Sequence, residues 1–307
     1  MSATQSRSRR TLSDTDLRLL RVFAEIVRHN GFSAAQDSLG MTQATISLHM
    51  RNLEERLALR LCERGRSGFF LTAEGKQLHE AVRDLFGSIE HFLTAVSDIQ
   101  GELVGRLAFG TVDAMESNRT LGLEQAIGDF AKAAPRVLLD IDIATPQALM
   151  QGLLSGRYQI VLVPAQPRAQ AMQAIDVFAE RQNLYCGRGN SLFTVADAAL
   201  TPELLASQPF AGRSYMQEAP ICGVDFHWHA VTAHMEGTLL MLLSGAYIGF
   251  LPGHYAEASM RAGALRVLAP ERMTYDDTFQ IVFSRERANR AARLLAEAIL
   301  RHCKGAA

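Results

Sequence analysis

Between residues 14 and 57 the apolar positions recur at helical spacing in separate runs. Leu17, Leu20, Phe23, Ala24 and Val27 share one side of a helix predicted over 14–28, which His29, Asn30 and Gly31 end before Phe32 turns inward. Residues 33–57 then read as two helices joined by a tight turn. Ser33 is placed to N-cap the first, Ala34, Ala35 and Leu39 line its inner side, and Gly40 supplies the turn. Thr42 caps the second, whose buried stripe is Ile46, Met50, Leu53 and Leu57. The opposite face carries Ala44, Thr45, Ser47, Leu48 and Arg51, with Gln43 in the first turn. Short side chains on such a face let a helix enter the DNA major groove, and Arg51 adds a cation for phosphate.

Past this pair, Arg60, Arg64 and Arg66 are interleaved with Gly65 and Gly68, and the aromatic pair Phe69 and Phe70 follows. That arrangement suits a short β-hairpin wing whose tip touches the phosphate backbone; an ordinary basic loop is the alternative. Thr72 then opens a long helix as its N-cap, with Gly75 in the first turn. Leu78, Val82, Leu85, Ile89, Phe92, Val96 and Ile99 alternate at spacings of four and three, an unbroken heptad seam. No second heptad segment exists in this chain to cover it. A second copy of the helix is therefore expected, and two heads on a twofold axis match a palindromic site. A plain core helix is the competing reading.

Beyond a short hinge over 101–105 the pattern changes. Strands are predicted over 106–112, 137–144 and 158–163 and helices over 121–133 and 146–154, the βαβαβ order of a parallel sheet. A second α/β unit follows, with strands over 183–187, 210–213, 228–233 and 247–251 and a helix over 237–243. The chain returns to the first unit through a strand over 278–283 and a helix over 287–302. Two lobes crossed by two strands leave a cleft, and open α/β sheets bind small ligands at the carboxyl ends of their strands.

Composition sharpens this picture in three places. With 307 residues, 48% of them apolar, the chain can bury more than one core, so two or three domains are expected. No apolar run approaches the roughly 20 residues needed to cross a bilayer. The polar, basic start MSATQSRSRR has no apolar stretch behind it, so a cytoplasmic protein without a membrane partner is expected. Net charge is only −1, yet eleven arginines face seven carboxylates over residues 1–70, where the helix pair lies. Cys62, Cys186, Cys222 and Cys303 match no zinc spacing and read as reduced structural thiols, with a Cys186–Cys222 redox switch as the alternative.

Candidate cleft residues come from strand ends. Thr111 and Asp113 follow the first strand, and Thr145 caps a helix beginning at Pro146, whose free N–H groups favour an anion. Arg213, Ser214 and Tyr215 follow a strand of the second unit and can clamp a carboxylate or stack on a ring, and His234 precedes the next helix. Thr145 as a mere cap and Arg213 as a surface ion pair remain open, as does Asp113 excluding anions in favour of an amine. His227 and His229 share a strand face, but no third ligand stands at metal spacing, so neither a metal nor a cofactor is expected. An α/β enzyme with a fused helical domain is the alternative class. Ser214, His234 and Asp113 can be assembled on paper, but no nucleophile elbow, phosphate loop or GxGxxG is present. A solute-binding protein leaves residues 1–100 unexplained.

Taken together these residues resemble the LysR-type transcriptional regulators. The resemblance rests on Leu17, Phe23, Gly31 to Ala35, Leu39, Thr42 to Ser47, Leu53, Glu54, Arg64 and Leu71 to Gly75, and more weakly on Pro135, Leu154 to Gly156 and Gly245 to Pro252. It implies a multidomain α+β fold: a winged helix-turn-helix over 12–71, a dimerising linker helix over 72–100, a hinge over 101–105 and an effector domain over 106–307. That last domain resembles a periplasmic binding protein, with lobe I about 106–177 and 276–307 and lobe II about 178–275. Implied partners are operator DNA, a small-molecule effector and a second subunit, with tetramers common in the family. The sequence departs from the family at Leu48, where Arg is usual, at Ala58, where Gly is usual, at Cys62, where an aromatic is usual, and at Gln159, where Asp is frequent.

Overall fold

The computed structural model describes residues 11–65, 68–100, 102–167, 171–216, 219–285 and 288–303. The chain divides into two compact units, Met1–Gly87 and Ser88–Ala307.

The first unit is built on α1 (Asp14–Arg28), α2 (Gln36–Leu39) and α3 (Gln43–Leu57), followed by the antiparallel hairpin β1 (Cys62–Gly65) and β2 (Gly68–Leu71) and the start of α4 (Ala73–Ile99). A capping box fixes the entry to α1: the Ser13 hydroxyl accepts from the Asp16 N–H, and the Asp16 carboxylate accepts from the Ser13 N–H. Phe23, Ile26, Ile46, Met50, Leu53 and Leu61 are fully enclosed, and Leu78, Val82 and Leu85 of α4 pack on them. Two predicted details of the turn region are corrected. Ser33 does not cap α2, which begins later, after Ala35, and has no side-chain cap; Ala34 faces solvent while Ala35 is buried. Gln36 does the fastening instead, donating to the Ser33 carbonyl at 3.2 Å and accepting from the Gln43 N–H at 3.0 Å.

Glycine at 75 is a requirement of close approach. A Cβ there would stand 1.9 Å from the Leu61 carbonyl oxygen, so the hairpin entry and the first turn of α4 touch backbone to backbone. Further along α4 the seam opens to solvent: Phe92 is 64% and Ile99 86% exposed.

In the second unit nine strands form one mixed sheet in the order β4 (Val137–Ile143), β3 (Gly105–Thr111), β5 (Ile160–Pro164), β11 (Thr274–Ser284), β6 (Met172–Gly187), β9 (Ile248–Pro252), β7 (Phe210–Arg213) and β8 (Trp228–Thr232), with β10 (Leu265–Val267) against β6. β3 is parallel to β4 and β5, as the βαβαβ pattern requires. Gln159, the departure before β5, is a buried peg: its Oε1 accepts from the Ala108 N–H at 2.7 Å and its Nε2 donates to the Gly156 carbonyl. At this end of the sheet, α5 (Leu123–Ala133), α6 (Pro146–Ser155) and α10 (Arg290–His302) enclose a core centred on Phe109, Phe130, Ile160 and Leu295. At the other end, α7 (Pro202–Ala206), α8 (Met235–Leu243) and α9 (Gly253–Arg261) accompany separate cores centred on Phe210, Phe226 and Phe250 and on Tyr185, Met235 and Leu242.

The two ends are joined by β6 and β11, which pair antiparallel along their length with a register shift at Phe279/Gln280. β11 pairs with β5 only from Phe279 to Val282, and β6 pairs with β9 only from Gln182 to Cys186. The sequence pattern indicated only the last five residues of β6, and it did not indicate α7 or α9. No helix among the described residues is long and apolar enough to cross a membrane.

Candidate nucleic-acid interface and effector site

In α3 the side opposite Ile46, Met50 and Leu53 is open. Thr42, Gln43, Ala44, Thr45 and Arg51 are exposed, Ser47 is partly covered, and Leu48 is 52% exposed. Thr42 caps the helix through the Thr45 N–H, and the two hydroxyls meet at 2.9 Å. Thr45 is therefore partly engaged, while Gln43 projects from the first turn. Ser33 is exposed at the preceding turn. Arg64 lies on β1, where its backbone alone is described, and Arg66 falls outside the described residues.

Glu54, which the sequence offers only as part of the family resemblance and with no role of its own, organises this face. The Glu54 carboxylate accepts from the Leu61 N–H at 2.8 Å and the Cys62 N–H at 3.4 Å, which ties the hairpin to α3. Ser47, Arg51, Glu54, Arg60 and Cys62 line an open recess of about 250 Å³ that includes two arginines. The pattern Glu54 to Leu61 carries no sequence signal, because a carboxylate near the end of a helix normally reads as a solvated charge. Behind the face, Arg56 bonds Asp16 at 2.6 Å. The hydrogen bonds from Arg56 and Ser13 hold the Asp16 carboxyl well below the usual carboxylate range.

The second unit gathers some of the predicted cleft residues and disperses others. Asp113, just beyond β3, accepts from the Met235 N–H at the start of α8, with His234 Nδ1 3.7 Å away. The His234 ring itself is half exposed. Thr145 caps α6 through the Ala148 N–H, and Gln147 donates to the Tyr215 carbonyl at 2.9 Å. Ser214 points to solvent, so no Ser214–His234–Asp113 relay is assembled by any hydrogen bond. Thr111 is buried, with no protein partner for its hydroxyl. His229 Nδ1 sits 2.7 Å from the His227 carbonyl, and the described residues hold no cluster of three or more metal-ligating groups.

Arg213 is the largest correction to the surface reading. Its residue is 5% exposed; its guanidinium donates to Gln182 Oε1 at 2.8 Å and to the Tyr215 hydroxyl at 3.4 Å. Gln182 in turn donates to Glu180, whose other oxygen meets His254 Nε2 at 2.8 Å, and His254 Nδ1 meets the Ser117 hydroxyl at 2.8 Å. Glu180 and Gln182 pair across the strands with Asp277 and Tyr275 respectively, so all four project from one face of the β6–β11 ribbon. Burial raises the Asp277 carboxyl above the usual carboxylate range, against the opposing pull of Arg213. Burial likewise pushes the Tyr275 phenol up. The sequence reading missed Glu180, Gln182, Tyr275 and Asp277. The available hint was polar residues two apart on each of two strands, and it has meaning only once those strands are known to pair.

Comparison with known proteins places this geometry. Residues 17–76 match the bacterial regulatory helix-turn-helix protein, lysR family, and residues 100–304 match the LysR substrate binding domain. The HTH-type transcriptional activator BauR of Pseudomonas aeruginosa is 34% identical over 302 residues, covering 98% of each chain. Among solved structures, full-length CbnR complexed with its target DNA aligns with a TM-score of 0.61 at 17% identity, covering 93% of this chain and 99% of that one. CrgA of Neisseria meningitidis, also a LysR-type regulator, aligns with a TM-score of 0.53 at 19% identity, covering 96% and 99%. The chain therefore belongs to the LysR-type transcriptional regulators, a family of DNA-binding proteins with an effector-binding domain rather than of enzymes.

Proposed function

We propose that α3 is the groove-reading helix of a homodimeric operator-binding protein, and that a small molecule bound against the β6–β11 ribbon controls it. The observation that carries the first half is the division of α3 into a sealed face (Ile46, Met50, Leu53) and an open one of short side chains. Gln43, Ala44, Ser47 and Leu48 are the base-facing set, with Leu48 suited to a thymine methyl where an arginine would choose guanine. Thr42, Arg51, Arg60, Arg64 and Arg66 act on phosphates, and Ser33 and Thr45 flank them.

The same reading takes 12–71 as the DNA-binding head, 72–100 as the pairing helix, 101–105 as the hinge and 106–307 as the cytoplasmic effector domain, with lobes divided near 177 and 276. Exposure of Phe92, Leu93 and Ile99 on α4 supports pairing with a second copy, and tetramers would need a further interface between such pairs. Ligand in the domain of Thr111, Asp113, Thr145, Arg213, Ser214, Tyr215 and His234 shifts the balance between two arrangements of the assembly, and so the bending of the operator.

A gel shift against the DNA flanking the gene tests this directly. Gln43→Ala or Ser47→Ala should relax discrimination at one base by about 1–3 kcal/mol. Arg51→Ala should weaken all sequences alike and lower the salt slope by about 0.9. A purified protein that stays monomeric and ignores duplexes from its own promoter region would sink the proposal.

A further inference from the structure

The polar groups on the ribbon face separate into those already satisfied and those left over. Both oxygens of Glu180 are engaged, by Gln182 and by His254, and both ends of Gln182 are engaged, by Glu180 and Arg213. Arg213 is different. A guanidinium carries five N–H donors, and here two bonds, to Gln182 and Tyr215, account for its partners. Among the described residues no carboxylate forms an ion pair with it, although the group is buried. The hydroxyl of Tyr275, within electrostatic reach of Arg213, has no protein partner. Asp277, on the same strand face, carries a carboxylate that no hydrogen bond or ion pair from the described residues satisfies, and it feels the charge of Arg213 without touching it.

A buried cation bonded to Gln182 and a half-buried carboxylate on the same ribbon face, neither in an ion pair with any described residue, are costly to the free protein. A ligand that satisfies both must carry an acceptor anion at one end and a donor cation at the other. A bare carboxylate answers Arg213 and Tyr275 but places a second negative charge near Asp277. An amine alone answers Asp277 but brings positive charge toward Arg213. We infer that the effector is an amino acid in the broad sense, its carboxylate bound by Arg213 and the Tyr275 hydroxyl and its ammonium group by Asp277. This rests on the effector-controlled reading above and narrows it to one chemical class.

The test uses full-length protein and a homologous series of α- and ω-amino acids, each alongside its deaminated carboxylate and its decarboxylated amine. Binding is read by calorimetry and by the thermal midpoint. At least one amino acid should bind tenfold or more tightly than either of its halves. Asp277→Asn, whose fold is checked by circular dichroism, should lose at least tenfold in that affinity. Arg213→Met should lose binding altogether, and if it does not fold, Tyr275→Phe serves in its place with a smaller loss. A carboxylate or amine binding as well as the parent amino acid, or a series in which nothing binds, overturns the assignment. The same compounds run through the gel shift keep the two readings apart. An operator response to a compound that is not an amino acid leaves effector control standing while removing the zwitterion.

Discussion

Replacing Glu54 by alanine isolates the fastening between reading helix and wing. In the native protein its carboxylate receives the N–H groups of Leu61, which is fully buried, and Cys62, at 2.8 and 3.4 Å. A hydrogen bond to a charged acceptor contributes about 1.5–3 kcal/mol, and a buried N–H left without a partner costs about 1–3 kcal/mol. The longer bond to Cys62 adds little, so a local loss of about 2 kcal/mol is expected at the start of β1. At 1.4 kcal/mol per decade this is about a 30-fold faster exchange of the Leu61 amide hydrogen. Glu54→Gln keeps a neutral acceptor of the same length and should recover more than half of that protection. On the proposed reading, in which the wing acts on phosphates, Glu54→Ala should weaken binding to all duplexes by a similar factor while leaving sequence preference unchanged. Unaltered protection at Leu61, or a glutamine variant as exposed as the alanine one, would show that the carboxylate does not hold the wing. A change in base preference would show that Glu54 acts on the reading face instead.

Three further outcomes are expected. Ala58, the C-cap of α3, lies at φ +54°; glycine relieves a left-handed strain of about 1–2 kcal/mol at an entropic cost of about 0.5–1. Ala58→Gly should therefore raise the urea midpoint of the first unit, and a lowered one would contradict the strain. Asp16 has its pKa depressed in the folded state by Arg56 and Ser13, so its contribution is present above the unfolded value near ~3.9 and is lost as pH falls below it. Acid titration of Asp16→Asn should show a shallower loss of stability below about pH 4 than the native protein; parallel curves would refute the coupling. The Cys186 thiol is buried, and its pKa is pushed up to about 11 by that burial, so at pH 8 a thiol reagent should label it roughly a hundredfold more slowly than free cysteine. Rapid labelling there would revive the redox alternative.

What the sequence made legible was set by how local the signal is. α3 announces itself through Ile46, Met50 and Leu53, one stripe within four turns, and Thr42, Thr72 and Thr145 are caps readable from their immediate neighbours. α9 offers no such stripe, since only Ala256 is buried along it. β6 conceals itself by carrying Asp176, Glu180 and Gln182 among its apolar residues, each satisfied by a partner from elsewhere in the fold. Arg213 is legible as a cation at a strand end, but its buried partner Gln182 arrives from a strand 31 residues earlier in the chain. Gly75 was readable as a tolerated glycine and is in fact a spacer, because the carbonyl it must clear belongs to Leu61 in a different element.

The connection between the two ends of the effector sheet has a mechanical consequence. Slack linkers would let two bodies drift apart freely, whereas β6 and β11 are laced together rung by rung from Thr274 to Ser284. A laced pair resists stretching and sliding yet yields to torsion, most easily at a bulge, where the local coil is already tightened. The irregularity at Phe279/Gln280 sits where β11 gains its β5 neighbour. A molecule held by Tyr275 and Asp277 would therefore load the ribbon beside the irregularity at Phe279/Gln280, where its coil is already tightened.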